Sequence, residues 1–149
     1  MGILKASLVF FLITSSTFSQ SNKELLVGTW TWQSITEKNG IYTKIDCRLE
    51  FKKYGLLYIT VDGIMRVDDE EVVFKYFDKS KWDVIGDIYT EKTIKVELLE
   101  IKGSPELQQI VKDRYLHNES TNKAKIIKID NNVCIFSFEK EIAKLIRLK

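Results

Sequence analysis

From residue 41 onward, apolar and polar positions take turns along the chain. Ile41, Thr43, Ile45, Cys47, Leu49 and Phe51 share one parity, while Tyr42, Lys44, Asp46, Arg48, Glu50 and Lys52 share the other. A period of two gives a strand with one buried face and one wet face. Val72, Phe74 and Tyr76 alternate in the same way, as do Trp82, Val84 and Ile88, then Ile94, Val96 and Leu98. Ile127 with Ile129, the set Cys134, Phe136 and Phe138, and the stretch 142–148 extend the pattern to the end of the chain.

Turn residues divide these runs at Lys38-Asn39-Gly40, Tyr54-Gly55, Asp62-Gly63, Asp68-Asp69, Asp78-Lys79-Ser80 and Asn131-Asn132. Asn-Gly and Asp-Gly suit tight hairpins because both residues tolerate positive φ. Connections this short cannot carry parallel crossovers, so neighbouring strands are antiparallel. The expected fold is all-β: an up-and-down barrel of roughly eight to ten strands, because closure removes the exposed edges of a long meander.

One stretch breaks the period. Ser104 and Pro105 read as an N-cap and a first helical residue, and Leu107, Ile110, Val111 and Tyr115 follow at helical spacing. A short helix is expected near residues 105–116.

The N-terminus reads differently. Lys5 precedes an apolar run over residues 6–13, then small polar residues with Thr17 and Ser19 placed for a cut before Gln20. That order is the secretory pattern, and the run is too short to span a bilayer. The domain reading is therefore a signal peptide at 1–19 and a barrel at 20–149. No cysteine stands at the expected cut for lipid attachment, so the processed chain is expected to be soluble, secreted or periplasmic, with no membrane span.

Composition narrows the classes. With 44% hydrophobic and 30% charged residues among 149, the chain is neither disordered nor fibrous. A net charge of +2, one unit of it from Lys5, gives no reason to expect nucleic acid. Cys47 and Cys134 are the two cysteines; in an oxidising compartment they are either a disulfide clasp or two buried thiols.

Leu25-Leu26-Val27-Gly28-Thr29-Trp30 opens the first strand with Gly-x-Trp, and Arg147 sits in the last. With these residues the chain resembles the lipocalin or calycin architecture, most of all the short lipocalin-like domains exported by Bacteroidetes. The resemblance implies structural roles: Gly28 for a tight turn, Trp30 as a plug at the closed end, and Arg147 over the Trp30 ring. A helix placed before the final strands, rather than after them, departs from the larger members of that family.

Candidate chemistry is sparse. His117 is the only histidine and stands at a polar helix end, so no triad or metal set is expected, and neither is a cofactor. Asp68-Asp69-Glu70-Glu71 reads as a solvated hairpin tip, and Asn118-Glu119-Ser120 matches a glycosylation sequon. No Gly-rich phosphate loop or nucleophile elbow is present. An enzyme is not expected.

The better candidates are aromatic. Trp32, Ser34, Tyr58, Phe74, Tyr76, Trp82 and Phe136 are expected to face inward, where they line a pocket for a small hydrophobic molecule or fill a solid core. With a filled barrel the alternative is an envelope interaction or inhibitor scaffold, presenting Tyr42, Phe77 and Tyr89 outward to a protein partner.

Overall fold

The computed structural model describes residues 20–117 and 119–149. The export-signal reading of residues 1–19, and Asn118 of the sequon, lie outside these described residues. A short helix α1 (Asn22–Leu26) leads into eight strands: β1 (Gly28–Lys38), β2 (Ile41–Phe51), β3 (Leu56–Val67), β4 (Glu70–Ile85), β5 (Ile88–Gly103), β6 (Thr121–Ile129), β7 (Val133–Ser137) and β8 (Ile142–Arg147). Helix α2 (Pro105–Tyr115) stands between β5 and β6. The strands form a closed antiparallel barrel in sequence order, β8 returning to pair with β1.

The expected hairpins form at Asn39-Gly40 and Asp68-Asp69. Asn39 and Gly40 both take positive φ, 54° and 75°, the geometry whose twist matches a two-residue hairpin. Two expected turns do not form. Asp62-Gly63 lies inside β3 and Asp78-Lys79-Ser80 inside β4, and the β3–β4 ladder runs unbroken through both. Local turn propensity loses there to the alternation that runs through both sites. Leu57, Val61 and Met65 on β3, and Val72, Phe74, Ser80, Trp82 and Val84 on β4, are all buried on a single parity.

The barrel is taller on one side. Strand β5 pairs with β6 only through Ile88–Lys92, and β1 pairs with β8 only through Trp30 and Thr31. Strands β1 to β5 therefore rise beyond the rim of β6 to β8. Above that rim α2 lays Leu107 and Val111 against Ile45, Cys47, Val61, Met65, Val72 and Phe74. Below it a second core gathers Leu26, Trp30, Phe51, Leu57, Trp82, Tyr89, Phe136 and Leu145.

Helix α1 starts with a capping box, Ser21 and Glu24 each bonding the other's backbone N–H. Ser104 stands at the N-cap of α2, but its hydroxyl donates to Glu70 at 2.9 Å instead of capping. Among the described residues no helix is long and apolar enough to cross a membrane.

At the closed end the guanidinium of Arg147 lies 4.2 Å from the Trp30 ring centre. It donates to the carbonyls of Val27 and Leu25. Gly28, at φ 132°, leaves the space this needs, since a Cβ there would stand 2.3 Å from Arg147 Nη1. Gly28, Trp30 and Arg147 thus form one structural knot that ties the first strand to the last.

Candidate binding cavity

Between the two cores lies a cavity of about 840 Å³. Its walls come from inward residues of β1 to β5 and from Phe136, Phe138, Ala143 and Leu145 of the short side. Its mouth is the rim where β6 begins and the β7–β8 turn closes, at Thr121–Lys123 and Glu139–Glu141. The strands beyond the rim leave this opening on the flank of the barrel, not at its end.

The structure distributes the expected aromatic residues unequally. Trp32, Tyr76 and Phe136 line the cavity. Phe74 is buried above it and stacks on Tyr76 and Tyr115, with ring centres 6.3 and 5.3 Å apart. Trp82 belongs to the lower core, edge-on to Phe51, with its indole N–H donated to the Leu56 carbonyl at 3.0 Å. It also borders a more open hollow of about 590 Å³ with Lys23 and Gly55. Ser34 is one step further along β1, outside the lining.

Tyr58 does not face inward. Its neighbours Leu57 and Ile59 belong to the lower core, and Tyr58 stacks on Phe77 at 5.9 Å on the outer surface. Tyr89 is displaced in the opposite sense. The turn at Gly86-Asp87 pairs Val84 with Tyr89, so β5 enters with its odd positions inward and Tyr89 is 2% exposed.

Cys47 and Cys134 are free thiols buried in the two separate cores, so the disulfide clasp is not formed. Burial pushes each thiol up to about 12, well away from reactive thiolate. His117 is exposed just past α2. Among the described residues no three His, Cys, Asp or Glu side chains gather as a metal set.

What sequence reasoning missed is a polar cluster inside the barrel. Asp78 and Glu91, on adjacent strands β4 and β5, both reach the cavity. The buried Ser80 hydroxyl lies 2.6 Å from Asp78 Oδ1 and 3.3 Å from Glu91 Oε1. Tyr89 donates its phenol proton to Glu91 Oε2 at 2.6 Å. Asn122 also bonds Glu91, and Thr93 bonds Asp78. The inward parity of β4, running from Phe74 and Tyr76 to Trp82 and Val84, passes through 78 and 80; that was the available signal.

Desolvation raises both carboxyls above their ordinary range, and Asp78 raises Glu91 further by repulsion. The folded state therefore holds the Glu91 proton more firmly than the unfolded chain. Ionising Glu91 costs stability that is absent below the ordinary carboxyl range and grows as pH rises through the raised value. Gln at 91 keeps an oxygen for the Tyr89 hydroxyl without the charge. Glu91→Gln is expected to be more stable than wild type in urea melts at pH 7. The advantage should vanish below about pH 4, where Glu91 is protonated in both states. A variant less stable at pH 7 than at low pH, relative to wild type, would contradict this account.

No protein-family model matches the chain, and no curated protein matches it in sequence.

Proposed function

We infer that this is an exported, lipocalin-like carrier that binds a small, largely hydrophobic molecule in the barrel, outside the cytoplasm. The observation that carries this reading is the cavity of about 840 Å³, walled by Trp32, Leu49, Val61, Tyr76 and Phe136. An interior of that size with a few converging polar groups matches the sites proteins build for small molecules. It also weighs against the alternative of a filled scaffold. Binding rather than catalysis is favoured because the single histidine stands apart from the cavity lining. Export rests on the charge, apolar run and small residues of the first nineteen positions.

The test is binding of the uncharged reporter N-phenyl-1-naphthylamine, whose emission rises in apolar surroundings. Saturable one-to-one binding is expected, and Val61→Trp, which puts an indole into the cavity, should weaken it while leaving the melting transition cooperative. Absence of saturable binding by the wild-type protein, or binding unaffected by Val61→Trp, would remove the carrier reading. N-terminal sequencing of protein recovered from outside the cytoplasm should begin at Gln20.

A further inference from the structure

We propose that the ligand carries a protonated amine, seated against Asp78 and Glu91, with its hydrocarbon part against Trp32, Tyr76 and Phe136. This rests on the carrier reading and adds the chemical class of the ligand.

The other acids with nearby cations lie at the surface, as in Lys23–Asp83 at 2.6 Å and Lys75–Asp62 at 3.1 Å. Among the described residues no ion pair reaches Asp78 or Glu91; their partners are the hydroxyls of Ser80, Tyr89 and Thr93 and the amide of Asn122. Two carboxylates drawn out of water and repelling one another are costly unless a cation joins them.

Among the described residues that line the cavity, the cations are Lys123 and Lys140. Lys123 and Lys140 line only the exposed rim, and Glu139 and Glu141 stand beside them there, so the mouth's charges cancel. The pair Asp78 and Glu91 is left without a counter-ion of its own. The arrangement is also specific in shape, because the Ser80 and Tyr89 hydroxyls hold the carboxyl oxygens. An ammonium has three donors to share between two carboxylates. Aromatic walls reinforce the choice, since the faces of Trp and Tyr attract cations. A fatty-acid headgroup would instead meet two carboxyls of its own sign.

The experiment is calorimetric titration at pH 7 with three probes of one chain length: octylamine, 1-octanol and octanoate. Octylamine should bind at least about tenfold more tightly than 1-octanol, with octanoate weakest. In the Asp78→Asn/Glu91→Gln double variant the three should fall within about threefold of one another. Retained reporter binding by that variant shows that the cavity is intact. Octanol or octanoate binding as tightly as octylamine, or an amine preference unchanged in the double variant, overturns the proposal. If the protein takes the neutral naphthyl reporter but none of the three probes, the amine assignment alone falls. If it takes neither reporter nor probes, the carrier reading falls with it.

Discussion

Trp30→Ala is expected to cost about 3–5 kcal/mol of stability, the range for removing a fully buried aromatic whose site cannot collapse. Trp30 has no exposure and sits among Leu26, Phe51, Trp82 and Leu145. Its indole N–H donates to the Leu26 carbonyl at 2.7 Å, which fixes α1 across the closed end. Its face is the seat of the Arg147 guanidinium. Alanine therefore opens a cavity, leaves a buried carbonyl without its donor, and takes the π surface from beneath a half-buried cation. The last two losses fall on the seam between β1 and β8, which is paired through two residue positions only. The expected fall in melting temperature is on the order of 10–20 °C for a domain of this size. Trp30→Phe keeps a ring but loses the N–H donor, and should fall between the two. In a double-mutant cycle, Trp30→Ala and Arg147→Met should couple by about 0.5–2 kcal/mol. Strict additivity would mean that Arg147 holds the seam through the Val27 and Leu25 carbonyls alone.

The seam is also where the sequence was most informative. Gly28, Trp30 and Arg147 are few, but their chemistry is specific: one residue without a Cβ, one large ring and one planar cation. Alternation likewise marked the strands, and a break in it with helical spacing marked the helix near 105–116, because burial of one face enforces each period. The sequence was hardest to read where two rules gave opposite answers. Asp78-Lys79-Ser80 has the composition of a turn and the position of a strand interior, and position decided. Strand β5 is harder still. Register shifts opposite Lys75/Tyr76 and Lys79/Ser80 change which of its side chains face inward, so a single parity cannot describe it. Ile94, placed in phase with Val96 and Leu98 by simple alternation, is 42% exposed at one of those shifts. The interior carboxyls were lost in both places at once. Asp78 was assigned to a turn, and Glu91 follows a hairpin whose phase only the Val84–Tyr89 pairing sets.

Gly63 shows how such a conflict resolves energetically, and its replacement is the second large effect expected. Asp-Gly at 62–63 looks like a hairpin tip, yet Gly63 lies mid-strand, opposite Phe74 on the inner face. The residue is needed for space: a Cβ there would stand 2.1, 2.3 and 2.7 Å from three atoms of the Phe74 ring. Phe74 cannot simply swing away. It is 1% exposed, is stacked against Tyr76 and Tyr115, and belongs to the core that seats α2 through Leu107 and Val111. Gly63→Val must then displace the ring, and with it the helix that covers the upper barrel. A cost of at least about 3 kcal/mol is expected, the upper end for overpacking a well-filled core. A clash with the Phe74 ring differs measurably from a general intolerance of β3. Phe74→Ala alone should cost about 3–5 kcal/mol through the cavity it leaves. Combined with Gly63→Val it should cost less than the sum by more than about 1 kcal/mol, because the valine methyls enter the space the ring vacated. Urea denaturation of the four proteins measures this directly. Additive losses would show that Gly63 is required by the strand backbone and not by the ring that covers it.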